Sequence, residues 1–302
     1  MAHERKITAT RIAVECCNLC GSTARTHLFT KHTYHLVRCD DCALAYIANP
    51  PDAEGIAAIY TTVANYHETL LDEATDGFSR QARVADQHLA MLRRFRHDLA
   101  GLRVLDVGCS SGIFLDRARK AGMEPFGAEL SPETAAFARD HYELPVQTGD
   151  WREAGYAPES FDVITLFDVI EHLPDPKAEL MALRGLLKAG GLLLQSTPDI
   201  EGLFPRLSGK LAMPLDYWPH PEPPHHLFQF SQATLSRMTE DAGYRMEAAH
   251  HTSIDLAYNF GTSESWRASP KMLAYAALFA LVAIVGEWVG QGDWLYLGAT
   301  RA

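Results

Sequence analysis

The segment from Val104 to Leu115, VLDVGCSSGIFL, contains the residues with the clearest chemical role in this chain. Apolar residues surround Asp106, and Gly108 and Gly112 then lead into an apolar pattern with helical spacing. This order predicts a strand, a tight turn and a helix. Glycine lets a ligand press against bare backbone, and the first N–H groups of a helix are unpaired donors. The segment therefore predicts a site for a polar ligand at the turn.

A second short apolar segment ends in Glu129, 23 residues after Asp106. In doubly wound folds an acid about 20 residues beyond the glycine turn holds ribose hydroxyls, and a carboxylate accepts from two of them at once. Ser131 and Pro132 then predict a helix that begins with a capping residue. Because Ser110 replaces a glycine of the dinucleotide fingerprint G-x-G-x-x-G, we do not expect a nicotinamide cofactor.

Four cysteines near the N-terminus have the spacing of a structural zinc site. They form two C-x-x-C pairs that are 18 residues apart: Cys17, Cys20, Cys39 and Cys42. Four thiolates close a tetrahedron and leave no open position, so such a zinc ion is structural. Cys16 has the wrong offset and is taken as a bystander. The alternatives are reduced thiols or disulfides; since no apolar leader follows the first residues, we expect a cytoplasmic chain in which metal is favoured.

Residues 100–200 resemble the class I S-adenosylmethionine (SAM) methyltransferases. The pattern D-x-G-C-x-x-G at 106–112 is similar to their first motif, and GAELSPE at 127–133 is similar to their second. The resemblance implies an α/β fold with a Rossmann-like sheet, and SAM as the cofactor. It also implies SAM-binding roles for nine residues: Asp106, Gly108, Cys109, Gly112, Glu129, Leu130, Asp150, Trp151 and Phe167.

Later segments extend this resemblance in the expected order. It implies that Asp150 lies near the adenine amino group, with Trp151 against the ring. Residues 161–168 form an apolar run typical of a buried parallel strand. A fifth strand is predicted over 190–198, after a Gly-Gly helix stop.

The order of the segments is also similar to that of bacterial methyltransferases with an N-terminal zinc ribbon. Two C-x-x-C pairs precede an Asn-Pro turn, a helix with Tyr60 and Tyr66, and the cofactor motifs. The stretch from Pro224 to Ser231 matches the P-x-H-L-x-x-F-S pattern of that group. This resemblance implies acceptors such as sugars, glycan precursors or lipids. The sugar C-methyltransferases carry a further C-terminal domain for which 302 residues leave no room.

Two histidines are candidates for the base that removes a proton from an accepting hydroxyl. Imidazole suits this task near neutral pH. His172 follows the fourth strand of the predicted sheet, and His226 lies in the proline-rich loop 214–230, which we expect at the same edge. A structural role is the alternative for each, and is stronger for His220 and His225. No further cluster of His, Asp and Glu indicates a magnesium site, so we expect metal-independent chemistry.

The elements that position these residues divide the chain into three parts. We predict a zinc ribbon over 1–50, a linker and helical lid over 51–100, and a SAM-binding domain over 101–302. A helix is predicted over 78–99, with five apolar residues inward: Phe78, Val84, Leu89, Leu92 and Leu99. Strands at 244–251 and 293–300 are expected to form the last hairpin of the sheet.

An apolar helical insertion is predicted over 271–289, between those two strands. Its residues 272–286 carry no charge, but a spanning helix needs about 20 apolar residues. Because the segment is apolar on all sides, we expect it to be buried. The alternatives are core packing, a dimer interface, or peripheral contact with a membrane or lipid acceptor.

Composition agrees with an enzyme that acts on small molecules. The formal net charge is −11, and a nucleic-acid partner would require clustered Lys and Arg. The sequence therefore predicts a SAM-dependent O-methyltransferase for a small-molecule, glycan-precursor or lipid-linked acceptor. The alternatives are C-methylation of a sugar or an isoprenoid quinone ring, an rRNA-binding zinc-ribbon methyltransferase, and a non-catalytic SAM-binding protein. Cytoplasmic localisation is expected, with membrane association as an alternative.

Overall fold

The computed structural model describes residues 10–62, 71–212, 222–253 and 270–302 of the chain. Within these residues the strands are β1 (Arg25–Lys31), β2 (Tyr34–Cys39), β3 (Ala45–Ile47), β4 (Arg103–Val107), β5 (Glu124–Glu129), β6 (Val146–Thr148), β7 (Phe161–Phe167), β8 (Leu187–Pro198), β9 (Phe228–Gln229), β10 (Tyr244–Thr252) and β11 (Trp294–Arg301). The α-helices are α1 (Ala53–Thr62), α2 (Asp76–Phe95), α3 (Ile113–Lys120), α4 (Pro132–Tyr142), α5 (Pro176–Arg184), α6 (Leu203–Ala212), α7 (Gln232–Asp241) and α8 (Pro270–Trp288).

Seven strands form one sheet in the order β10-β11-β8-β7-β4-β5-β6. Strand β11 runs antiparallel to both of its neighbours, and the other neighbouring pairs are parallel. This confirms the Rossmann-like α/β fold and the last hairpin predicted from the sequence. Strand β7 is buried along almost its whole length, as its continuous apolar sequence requires.

The ends of several helices follow their capping residues. Ser131 caps α4 by accepting from the backbone N–H of Thr134, and Pro132 occupies the first helical position, as predicted. Helix α2 begins at Asp76 after Thr75 caps it and ends at Phe95, so Leu99 lies beyond the predicted helix.

The predicted Gly-Gly helix stop is wrong. Helix α5 already ends at Arg184, and β8 begins at Leu187, so that Gly190 and Gly191 lie inside the strand. Gly190 has a φ of 71°, which glycine adopts without the steric penalty of a side chain. The glycines therefore serve an irregular strand rather than the end of a helix.

A second sheet joins the N-terminal region to the rest of the protein. Its order is β1-β2-β3-β9, so its fourth strand comes from residues 228–229, far along the chain. The side chain of Asn18 also donates to Asp175 at the start of α5. Buried residues of both regions form one hydrophobic cluster, which includes Leu19, Tyr46 and Phe230. The predicted ribbon is therefore packed into the body of the protein.

Helix α8 is buried on one face only by the described parts of this chain. Phe279 is 4% exposed and packs against Phe204 of α6, with 5.8 Å between the ring centroids. On the opposite face Leu281 is 67% exposed and Trp288 is 83% exposed. In the described parts of the chain, no helix is both long and apolar enough to cross a membrane.

Helix α2 packs on the sheet through a buried histidine. The His88 ring stacks on Phe167, with centroids 3.9 Å apart, and its Nδ1 lies 2.7 Å from the Tyr296 hydroxyl. Burial lowers the pKa of His88 to about 3. The imidazole is therefore neutral at physiological pH and packs as an aromatic ring with one polar contact.

We expect the free energy of unfolding to fall as the pH is lowered from 6.5 towards 3, because the unfolded chain binds a proton that folded His88 excludes. One such group costs about 1.4 kcal/mol for each pH unit in this window. Denaturant unfolding at a series of pH values measures the slope. His88→Phe should reduce it, and His97→Phe, at an exposed position, should not. An unchanged slope in His88→Phe would contradict a neutral buried imidazole.

Candidate cofactor and acceptor site

A cavity of about 530 Å³ opens at the carboxyl edge of β4, β5, β6 and β7. Residues that follow each of these strands line it, as expected for the ligand site of a doubly wound sheet. Eight of the nine residues predicted to bind SAM belong to the wall: Asp106, Gly108, Cys109, Glu129, Leu130, Asp150, Trp151 and Phe167. The ninth, Gly112, lies behind the wall.

The turn after β4 has a backbone path that depends on its glycines. Gly108 has a φ of 78°, and a Cβ there would lie 2.5 Å from a methyl carbon of Val169. Gly112 has a φ of 80°, and a Cβ there would lie 2.8 Å from Cβ of Ala138 in α4. Gly112 is therefore needed for packing of the turn on α4, while Gly108 leaves backbone open to the cavity.

Glu129 is held at the end of β5 by two backbone donors. Its carboxylate accepts from Ser110 N–H at 2.9 Å and from Ser131 N–H at 2.7 Å. These bonds link the glycine turn to the start of α4. Each carboxylate oxygen has a second lone pair, so the group can still accept from vicinal hydroxyls of a ligand. The turn and this oriented acid fit the ribose end of SAM.

Asp106 lies deeper in the same wall and is 3% exposed. Thr165 donates to its Oδ1 at 2.6 Å. Burial, followed by the charges of Glu129 and Asp168, raises the pKa of Asp106 to about 7 even though the Thr165 hydrogen bond lowers it. A cation bound in the cavity would favour the ionised form of this group.

The remaining predicted cofactor residues have different surroundings. Asp150 caps a short 3-10 turn and pairs with Arg152 at 3.1 Å. Trp151 is buried, and its indole N–H donates to Glu179 at 2.5 Å. Leu130 is half exposed at the mouth of the cavity. Cys109 is buried, with its sulfur against Gly127, as a small packing residue would be.

The sequence analysis missed the contribution of α2 to the site. The Gln81 side chain donates to the Ser110 hydroxyl at 3.1 Å and accepts from the Ser111 hydroxyl at 2.8 Å. Gln81 and His88 both line the cavity. Both residues lie three or four positions from apolar residues that were predicted to point inward, so they share the same face of the helix. A search for apolar spacing finds only the apolar residues of that face and therefore missed these two polar ones.

His172 lies in the wall of the cavity, whereas His226 packs behind it. Their ring centroids are 4.7 Å apart, and His226 is not among the described residues that line the cavity. Nδ1 of His172 lies 2.9 Å from the backbone carbonyl of His225. A carbonyl only accepts, so Nδ1 carries the proton and Nε2 is the basic nitrogen of the neutral ring. Burial lowers the pKa of His172 and favours this neutral form. His220 and Tyr66 lie outside the described residues.

Buried carboxylates surround these histidines. Glu171 is 1% exposed, and within the described parts of the chain neither of its side-chain oxygens has a hydrogen-bond partner. Burial raises the pKa of both Glu171 and Asp168, and the charge of Glu171 also raises the pKa of Asp168. Asp168 was not selected from the sequence; its φ of 59° and the hydroxyl of Ser196 that donates to it indicate a constrained group at the end of β7.

Glu171, His172 and His226 place one potential donor atom each within 4.8 Å of the others. The sequence analysis named the two histidines as candidates for the base but did not identify Glu171 as their neighbour. His226 is distant in sequence from Glu171 and His172 and meets them because of the segment before β9. The three atoms are close enough to share either a proton or a cation.

The four predicted zinc cysteines come together in the N-terminal region. Their sulfurs lie within 4.8 Å of one another, and two pairs are 3.5 Å apart. A disulfide would need about 2.05 Å, whereas a zinc ion with bonds of about 2.3 Å gives edges of about 3.8 Å. Each C-x-x-C pair closes a similar turn: Gly21 N–H bonds to Cys17 O, and Ala43 N–H bonds to Cys39 O. The donor set fits tetrahedral zinc, and Cys16 is exposed outside it.

Backbone hydrogen bonds connect this region to the cavity. Ile47 N–H in β3 bonds to Leu227 O at 2.8 Å, and Leu227 N–H bonds to Glu171 O at 2.8 Å. Leu227 follows His226, and Glu171 precedes His172. The cysteine-bearing sheet therefore positions the segment that carries His226 and, through it, the turn that carries His172.

Comparison with known proteins agrees with this geometry. A family model described as a methyltransferase domain matches residues 78–249. Ubiquinone biosynthesis O-methyltransferases from Cereibacter sphaeroides and Xanthomonas euvesicatoria are 40% and 35% identical over 102 and 162 residues. The matches cover 32% and 50% of this chain, and 41% and 66% of the relatives, so the chain spans less than two thirds of their length.

Solved structures show the same fold at low sequence identity. A magnesium protoporphyrin IX methyltransferase from Synechocystis has a TM-score of 0.56 at 16% identity, covering 83% of this chain and 100% of that one. A SAM-dependent methyltransferase from Thermotoga maritima has a TM-score of 0.52 at 19% identity, covering 82% and 100%. With the match to more than half of its length, the chain belongs to the methyltransferase domain family.

Proposed function

We propose that this protein transfers a methyl group from SAM to a hydroxyl group of a small-molecule or lipid-linked acceptor. The observation that carries the proposal is a single cavity that joins the glycine turn and Glu129 to His172. One end suits a nucleoside, and the other offers a neutral imidazole. This pairing favours an enzyme over a SAM-binding protein without activity.

The chain's own residues would bind and orient the cofactor. The turn at Gly108 offers bare backbone, Glu129 accepts from the ribose hydroxyls, and Asp150 and Trp151 bound the adenine end. Asp106 and Asp168 line the cavity, and a bound cation would lower their raised pKa values and favour their ionised forms. When bound, SAM supplies a methyl group activated by a positively charged sulfur. Helix α2 covers the turn through Gln81 and limits access of water.

His172 would accept the proton of the hydroxyl as the new oxygen–carbon bond forms. Its Nδ1–H is fixed on the His225 carbonyl, so the Nε2 lone pair has a defined direction. His226 packs against the His172 ring and is the second candidate, acting by positioning it or by receiving the proton in turn. This chemistry needs no metal ion.

The relatives support oxygen as the accepting atom, because they are named O-methyltransferases of ubiquinone biosynthesis. A ring-bearing phenolic acceptor also suits the cavity, whose wall includes Ile56, Leu173 and Pro174. C-methylation remains the alternative within the class. An rRNA acceptor is disfavoured by the net charge of −11.

We also propose that Cys17, Cys20, Cys39 and Cys42 hold one structural zinc ion. The ion would fix the turn at Cys17 to the turn at Cys39, and the second of these turns connects β2 to β3. Through β3 it would hold the segment that carries His226. The metal would therefore act on turnover without touching the cofactor.

Glu129→Ala should weaken SAM binding by about 1–3 kcal/mol, the range for hydrogen bonds to a charged group. Isothermal titration calorimetry measures the affinity. Glu133→Ala, which removes an exposed acid in the next helix, is the matched control and should bind normally. Unchanged affinity in Glu129→Ala would refute the ribose assignment.

His172→Ala should lower turnover by about 10²–10⁴-fold with SAM binding retained, since it removes the general base. His226→Ala should have a smaller effect if it only positions His172. A screen with labelled SAM and phenolic or lipid-linked hydroxyl acceptors provides the assay, with exposed His141→Ala as the control. Wild-type turnover should also decline in acid as His172 becomes protonated, at a lower pH than an ordinary imidazole would require, because burial lowers the pKa of His172. Normal turnover in both variants would place the base elsewhere, and turnover lost to a chelator and restored by Mg²⁺ would contradict a metal-independent base.

Cys39→Ser should lose the metal, expose residues 1–50 to protease and lower turnover, while SAM affinity stays near normal. Elemental analysis of the wild type should give about one zinc per chain. Cys16→Ser removes an exposed neighbouring thiol and should change none of these properties. A metal-free wild type with a protease-resistant N-terminus would contradict the zinc site. Full turnover in metal-free Cys39→Ser would contradict the coupling to the cavity.

A further inference from the structure

Helix α8 presents a continuous apolar stripe to solvent. The buried face, marked by Phe279 and Ala283, packs on the protein. Successive residues of a helix turn by about 100°, which places the exposed residues on the opposite side. These residues are Leu273, Ala277, Leu281, Ile284, Val285 and Trp288. A monomeric protein rarely exposes such a stripe without a partner.

Helix α6 packs beside α8 and exposes an apolar residue between two cations. Arg206, Leu207 and Lys210 are all exposed. The two helices together contain three basic residues, including Lys271, and one acid, Glu287. The whole chain has 27 basic and 38 acidic residues, so the charge of this helix pair is opposite in sign to that of the protein. The pair therefore complements an anionic surface.

We propose that α6 and α8 form a docking surface for an anionic membrane. Helix α8 would lie in the plane of the interface, with its stripe against the acyl boundary and the α6 cations near the headgroups. Trp288, at the end of the stripe, has the side chain most enriched at such boundaries. A symmetric dimer through this face would bring the cations of one copy close to the same cations of the other copy, and these like charges repel. The anionic headgroups of a membrane would instead pair with the cations.

The surface also lies at the edge where the cavity opens. Helix α6 follows the carboxyl end of β8, and α8 connects the carboxyl end of β10 to the start of β11. All of these ends lie at the carboxyl edge of the sheet. A docked protein would therefore hold this edge near the bilayer, which suits a lipid-linked acceptor. The docking itself does not depend on the proposed reaction.

Flotation with vesicles tests the surface. Wild-type protein should float with vesicles of equal parts phosphatidylcholine and phosphatidylglycerol, and less with phosphatidylcholine alone. The double variant Leu281→Glu/Trp288→Glu should reduce the bound fraction by about tenfold or more, because charges replace side chains that would enter the lipid. Arg206→Gln and Lys210→Gln should each weaken binding to the anionic vesicles by about fivefold at low salt. Met181→Glu is the control, since Met181 is exposed on α5, away from this helix pair.

Further readouts separate docking from folding and from catalysis. The variants should keep wild-type melting transitions and SAM affinity, because the substituted side chains are exposed and outside the cavity. Phe279→Asp would test folding instead, since Phe279 is buried. A wild type that floats with neither vesicle, or a double variant that floats normally, would overturn the proposal. A wild-type dimer that the double variant converts to a monomer would also overturn it, because a second copy would then cover the stripe.

Discussion

Two backbone hydrogen bonds set the position of the acceptor side of the cavity. One joins Ile47 in β3 to Leu227, and the other joins Leu227 to Glu171. The segment before β9 is thus held between the N-terminal sheet and the turn that carries His172. Because both contacts are made by the backbone, they depend on where β3 lies and not on one side chain. The turns at Cys17 and Cys39 and the shared core around Tyr46 and Phe230 fix that strand.

The electrostatics of the cavity depend on burial more than on ion pairs. Asp106, Asp168 and Glu171 all have raised pKa values because they have lost water, while His88 and His172 are kept neutral for the same reason. Burial therefore favours the protonated forms of these acids while no cation is bound. A positively charged ligand would lower the pKa of the acids, so that binding and proton release are linked. This preference agrees with a sulfonium cofactor.

The local patterns of the sequence specified the sheet and the cofactor wall. Strand, glycine turn and helix around Asp106 follow from contiguous residues, and so do Glu129 and the Ser131 cap. Contacts between distant segments were not accessible in this way. Nothing in the sequence around Phe228 indicates that it pairs with Tyr46, and that pairing brings His226 behind His172 and next to Glu171. The polar residues of α2, above all Gln81, were missed. The spacing of apolar residues identifies which face of a helix is buried, but it does not identify the polar residues on that face that form hydrogen bonds.

The two ends of the cavity are covered by different parts of the chain. Helix α2 covers the cofactor end, where Gln81 bonds to the hydroxyls of Ser110 and Ser111. Its buried residues Met91 and Leu92 belong to a hydrophobic cluster that includes residues of the sheet and of α3. The acceptor end is bounded by the segment at 222–227, which is held by backbone bonds and a shared core. Because a buried core holds the elements at both ends, the structure favours a cavity whose walls are formed before either ligand binds.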